Sequence, residues 1–272
     1  RLYLNPSAPN ALEKLLGAVR QFCAEQGISG WHLLFMDEGT SDALSPLGLH
    51  ERQTVQFHWF NRGFSTFDDF LATFSSRKRK NLRKERAGIA AQGLTLETRQ
   101  GLEISPEDWR FFHHCYQMTY AKRSGHGGYL SREFFTEACP TLGASPVMVI
   151  ASDADGPVAA ALYFQSSDTL YGRYWGCLKE YEYLHFEACY YRGIEHCIDR
   201  GLEHFDPGAQ GEHKIQRGFE PVLTRSRHWL SEPGFDDPIA DFCRRERAQV
   251  RSYQEQARAL LPFKSTDGGT VT

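Results

Sequence analysis

Residues 206–221 read DPGAQGEHKIQRGFEP and place an acid, an imidazole, an amine and a guanidinium within six positions, as Glu212, His213, Lys214 and Arg217. Unpaired charges are too costly to bury, so the cluster is either a solvated turn or a polar site. As a site it would move a proton and stabilise developing negative charge. His213 titrates near neutrality and is the candidate base. Lys214 and Arg217 would stabilise an oxyanion or hold a phosphate. Glu212 would orient His213, or act as the base itself if its pKa is raised. The bland alternative is a short capped helix with solvated charges. Residues 202–205 read as a strand, and loops beyond strand ends collect functional groups, which favours the site.

Other residues could extend it. His185 and Glu187 open a helical stretch and are candidate substrate-binding groups, although a carboxylate there also simply complements the helix dipole. Tyr171, Tyr174, Trp175, Tyr181, Tyr183, Tyr190 and Tyr191 form an aromatic neighbourhood suited mainly to packing; Tyr174 is singled out because its strand leads toward the cluster. Residues 75–87 hold seven cations around one acid, a net +6 in a chain whose formal charge is −3. Arg79, Arg83 and Arg86 share one helix face, Lys80 and Lys84 another. The run is either a solvated helix or, through Arg77, Arg79, Lys80, Arg83, Lys84 and Arg86, a contact for phosphate on tRNA, a lipid-linked pyrophosphate or an anionic membrane surface. No metal site is expected: His113, His114 and Cys115 are adjacent, and neighbouring helix positions point ~100° apart.

The elements that must position these groups follow from periodicity. A helical stripe covers residues 9–26, with strands over 31–36 and 54–60 and a turn-rich stretch between them. Residues 66–92 read as one helical region, apolar first and basic afterwards. A strand over 94–98 precedes a helix over 107–123, with Ser105 as N-cap and Pro106 in the first turn. Ser131 caps a further helix to 139. Three strands follow over 147–152, 158–165 and 170–176, joined as hairpins by Asp155-Gly156 and Ser167-Asp168. A helix runs over 185–200, then come the strand over 202–205, the polar cluster, a strand over 222–230 and a last helix capped by Asp237.

Composition sets the outer bounds. With 272 residues, 41% hydrophobic and 24% charged, the chain can bury a sizeable core. Its net charge excludes a globally basic nucleic-acid binder. No apolar run approaches the ~20 residues of a membrane helix. Seven cysteines, an odd number without C-x-x-C spacing, read as free thiols in a reducing, cytoplasmic setting.

The element order from residue 94 to 230 resembles the GNAT acyltransferase fold, and the first 65 residues resemble the back half of a second copy. The residue strings SSRKRKNLRKER (75–86), YWG (174–176), LHFEACYY (184–191), GAQGEHK (208–214) and RGF (217–219) resemble the bacterial FemAB-like family of N-acyltransferases, similar to Fem-type peptidoglycan aminoacyltransferases. The resemblance implies an α/β (α+β) fold: a mixed, mostly antiparallel sheet flanked by helices, in tandem with a partial first copy. Its segments would be a partial GNAT-like domain (1–65), a basic linking helix (66–92), a second GNAT-like domain (93–235), a C-terminal helix (236–261) and a disordered tail (262–272). The first copy lacks its early strands, so the sequence is expected to start inside a longer protein. GNAT enzymes bind coenzyme A pyrophosphate on a Gly-rich loop; here residues 176–185 hold one glycine and two glutamates. The resemblance therefore implies an activated acyl donor such as aminoacyl-tRNA, with acyl-CoA the weaker alternative, and a small or lipid-linked amine acceptor. A non-catalytic module binding peptidoglycan or phosphate stays open.

Overall fold

The computed structural model describes residues 2, 7, 8, 10–209 and 211–264. In chain order it forms α1 (Ala11–Gln26), β1 (Gly30–Met36), α2 (Glu38–Leu44), β2 (His50–Phe60), α3 (Phe67–Ala72), α4 (Ser76–Ala91), β3 (Thr95–Gln100), α5 (Pro106–Ser124), β4 (Pro146–Asp153), β5 (Gly156–Gln165), β6 (Thr169–Cys177), α6 (Leu184–Phe186), α7 (Arg192–Arg200), β7 (His204–Asp206), β8 (Glu220–Leu230) and α8 (Asp236–Ala259). Wide π-type turns over Glu187–Tyr191 join α6 to α7, and a 3-10 helix over Glu212–Arg217 precedes β8. No helix among the described residues is long and apolar enough to cross a membrane.

The elements gather into two compact units. One combines the residues up to 56 with 221–259. There β1 pairs antiparallel with β8, bringing the rings of Trp31 and Trp229 to 6.2 Å. Leu16 of α1 joins Leu44 and Leu49 in a small core. Arg52 Nε donates to Glu246 at 2.7 Å, tying α8 to the first half of β2.

The second unit combines 57–220 with 260–264, as far as the described residues go. Strands β3, β4, β5 and β6 run antiparallel in sequence order, β6 pairs parallel with β7, and β7 pairs antiparallel with the end of β2. The central strands read as continuous apolar runs because both faces are covered. Trp109, Phe112, Tyr116, Phe135, Met148 and Leu162 fill one side; Ile89, Leu94, Ala151, Val158 and Leu184 fill the other. Parallel pairing of β6 with β7 covers only Thr169↔His204, Leu170↔Phe205 and Tyr171↔Asp206. β7 stops at Asp206 whereas β6 continues to Cys177, so the two strands part along the second half of β6.

Helix α5 forms one wall beside that parting. Ser105 Oγ accepts from the Asp108 amide at 3.1 Å, and the Asp108 carboxylate accepts from the Ser105 amide at 2.8 Å, a complete capping box with Pro106 behind it. Gly125 ends the helix with φ 72°. The helix sits hard against β6 at Gly176, where a Cβ would collide with the carbonyl of Cys115. A Gly176→Ala chain should therefore lose about 1–3 kcal/mol, the usual range for overpacking, read as an earlier urea midpoint. A Gly201→Ala control would report only the strain of φ 66° in open space.

Some expected elements differ. The helical region 66–92 is two helices, because Phe74 leaves the helix to bridge Phe263. The Ser75 amide donates to Pro262 O and the Lys264 amide to Thr73 O, both at 2.9 Å. Residues 262–264 of the expected disordered tail are thus hydrogen-bonded, while 265–272 lie outside the described residues. The helix expected from Ser131 to 139 is a π-type turn (Phe134–Ala138) followed by a 3-10 turn (Cys139–Leu142), whose second residue, Pro140, has no amide to donate.

Candidate active site

None of Glu212, His213, Lys214 and Arg217 lines the two hollows described below. Gly211, with φ 117°, turns the chain into the 3-10 helix, whose first two residues face out and whose later ones turn inward. Glu212 and His213 are exposed; Lys214 and Arg217 are buried. Lys214 Nζ donates to the carbonyl of Gly208 at 2.6 Å and reaches that of Pro207 at 3.5 Å, clamping the turn after β7. Arg217 donates to Glu85 at 2.9 and 3.1 Å and to the His213 carbonyl at 2.8 Å, and stacks on Phe186 at 3.4 Å. Both cations are engaged inside the fold, which speaks against the expected roles, since a buried charge persists only when paired and hydrogen-bonded. Burial lowers the Lys214 pKa to about 8, against some support from Asp206. Between about pH 8 and the ordinary lysine range, the unfolded chain then holds a proton that the folded chain does not. Stability should rise with pH across that interval, and Lys214→Met should flatten the rise in urea titrations.

Glu187 and Arg86 are engaged likewise. The Glu187 carboxylate, 4% exposed, accepts from Arg86 at 2.9 and 3.1 Å and faces Arg192 Nε at 3.2 Å. Arg86 also meets Glu195 at 2.7 Å and lies 4.4 Å over the Phe67 ring. Elsewhere on α4, Arg83 pairs with Asp68 at 2.9 Å and Lys78 bonds Gln216. Arg77, Arg79, Lys80 and Lys84 make no ion pair among the described residues.

His185 and Tyr174 do reach a cavity. A cleft of about 370 Å³ opens where β6 leaves β7, between the C-terminal half of α5, β6 and the α6 segment. His185, Tyr174, Trp175, Tyr190, Arg123 and Arg173 line it, and no aspartate or glutamate does among the described residues. A second hollow of about 780 Å³ adjoins it and shares Thr119, Arg123, Trp175 and His185. His185 packs among the rings of Trp175 at 5.5 Å and Tyr190 at 5.4 Å. Burial, then the charges of His213, Arg123, Arg217 and Lys214, push its pKa down to about 4, so it is neutral at pH 7. Its ring nitrogens have no hydrogen-bond partner among the described residues.

His213 sits one residue further out. Its Nε2 lies 2.8 Å from the Tyr190 hydroxyl, and its ring is 6.2 Å from that of His185. Its pKa is lowered by burial, then by Arg217 and Lys214. Tyr190, Arg123, Arg173 and Glu85 were not singled out from the sequence. Their only local signals were an aromatic ring facing a cleft strand, cations outside the basic run, and the lone acid within it.

An antiparallel set of strands followed by a parallel pair that parts beside a helix defines the GNAT-like fold. The structure is similar to L-PGS from Bacillus licheniformis (TM-score 0.59, 12% identity, 86% of this chain and 77% of that one). It is also similar to FemX (0.57, 10%, 86% and 79%) and to a tandem GNAT protein from the clavulanic acid biosynthesis pathway (0.51, 10%, 86% and 74%). At these identities the likeness establishes the fold. No curated protein matches the sequence. The FemAB-like family, described as peptidoglycan biosynthesis/recognition, matches residues 1–265, and the chain belongs to it.

Proposed function

We propose that the protein is an N-acyltransferase of the aminoacyl-transfer type, acting on an amine of a peptidoglycan precursor or a related acceptor. The observation that carries this reading is His185: a neutral imidazole with unengaged nitrogens at the junction of two hollows beside the parted strands. One hollow would hold the acyl donor and the other the amine. The amine nitrogen attacks the acyl carbonyl carbon, His185 takes a proton from the ammonium of the adduct, and the C–O bond to the leaving alcohol breaks as His185 returns that proton to its oxygen. Tyr190 would hold its hydroxyl toward the cleft through His213.

FemX among the similar structures and the FemAB-like family support aminoacyl transfer to a cell-wall acceptor. The unpaired cations Arg77, Arg79, Lys80 and Lys84 support a tRNA-borne donor, whose backbone phosphates they would meet at a salt-dependent cost. Free thiols at seven cysteines fit a cytoplasmic setting. Single-turnover transfer from charged tRNA to muramyl-peptide acceptors tests the proposal. Amide product should form on mixing donor, acceptor and protein; saturable acceptor binding without product for any activated donor would replace the enzyme with a recognition module, which the family description also accommodates.

A further inference from the structure

We infer that Arg123 and Arg173 form an anion subsite that holds the phosphate of the acyl donor, taking the place of the backbone-amide loop that residues 176–185 do not build. The inference rests on the acyl-transfer reading for the word donor, and on the cleft alone for the anion.

Both guanidiniums line the cleft of about 370 Å³, Arg123 from the last turn of α5 and Arg173 from β6. Both are exposed, and neither has a hydrogen bond or ion pair among the described residues. Neighbouring cations are neutralised. Lys179 is shared by Asp153 at 2.8 Å and Asp155 at 3.0 Å, and Lys122 pairs with Glu180. A surface arginine without a partner is ordinary. Two in one concave site whose described lining holds no carboxylate leave a charge of +2 facing a cavity of small-ligand size.

The rest of the lining narrows the ligand. Tyr120, Tyr174 and Trp175 offer flat rings, and Thr119 and Ser124 offer hydroxyls beside Arg123. Guanidinium forks match phosphate oxygens bidentately, and aromatic rings stack nucleobases, worth about 1–3 kcal/mol per base. The chemistry recognised is a phosphate next to a base. It is shared by the CCA end of an RNA and by the adenosine 3′-phosphate pyrophosphate portion of coenzyme A. Segment 178–183, where a phosphate loop would run, is instead held by its own contacts: the Glu180 and Lys179 pairs, and the Glu182 amide donating to Gln92 at 3.1 Å.

The test is Trp-fluorescence or calorimetric titration of the whole chain with three probes: inorganic phosphate, coenzyme A and a short RNA ending in CCA. RNA tighter than coenzyme A assigns the phosphate to a nucleic-acid donor; the reverse order assigns it to an acyl-CoA. In either case Arg123→Ala and Arg173→Ala should each weaken the better probe at least about tenfold, as expected for loss of a charge-assisted pair, and the double variant should abolish its competition by millimolar inorganic phosphate. For the RNA, each substitution should also lower the salt slope by about 0.7. Arg173→Lys should recover part of the affinity. Equal affinity of the parent and the double variant for all three probes, with unchanged far-UV dichroism, overturns the subsite. Failure of the transfer reading looks different: Arg-dependent probe binding persists while no donor yields product.

Discussion

His185→Ala should slow single-turnover acyl transfer by about 100- to 10,000-fold, the span associated with removing a general base, while leaving donor affinity unchanged. The residue stands where the two hollows meet, and its imidazole is neutral because burial among Trp175, Phe186 and Tyr190 disfavours the charged form. A base of such low affinity for protons suits the ammonium of a tetrahedral adduct, which is far more acidic than a free alkylammonium. Two pH signatures follow. The acidic limb of kcat/KM should lie near pH 4 and not near the ordinary histidine value, because protonation of His185 is what removes activity. On the alkaline side activity should climb through the pKa of the acceptor amine, which must arrive uncharged. His213→Ala should cost less, since His213 acts on the cleft only through the Tyr190 hydroxyl. Full activity of His185→Ala, or an acidic limb near pH 6.5 that survives the substitution, would remove His185 as the base.

Glu85→Ala should cost about 3–5 kcal/mol of folding stability, the penalty for leaving a buried charge without its partner. Arg217 is only 6% exposed, and among the described residues Glu85 is its one carboxylate partner. The Tyr191 hydroxyl also donates to Glu85, so one truncation orphans two buried donors. Glu85→Gln keeps an acceptor for both and should cost less. Lys84→Ala, one residue earlier on the same helix and exposed, should stay within about 0.5 kcal/mol of the parent. Urea midpoints at constant m-value give the comparison; equal midpoints for Glu85→Ala and Lys84→Ala would show that Arg217 tolerates isolation. The loss should reach the cleft as well, because Arg217 is stacked on Phe186, the neighbour of His185.

Much of this architecture is legible in the residues. The strand–helix order of the second unit, the Ser105 cap with Pro106 and the two hairpins follow from periodicity and turn chemistry, which are local. The GNAT-like sheet and the FemAB-like membership could be read from short strings spread along the chain. His185 and Tyr174 were legible as cleft residues because a strand end and a helix start locate them. The polar cluster misleads for a physical reason. Sequence displays the charges of Lys214 and Arg217 but not the carbonyls of the 207–208 turn or the carboxylate 132 positions upstream that neutralise them. The same blindness hid Glu85 within a basic run, and assigned to Arg86 and Glu187 an availability that their mutual pairing removes. Arg123 and Arg173 are conspicuous only once α5 and β6 are brought side by side.

The near-contact of Gly176 with the Cys115 carbonyl has one more consequence. One jaw of the cleft of about 370 Å³ belongs to α5 and the other to β6, and this rivet, with Tyr116 braced on Tyr174 at 5.5 Å just beside it, sets their gauge. Such a vise sorts ligands by girth. Trimming Thr119 or Tyr120, which face the gap without carrying the rivet, is the direct route to admitting a thicker acyl chain.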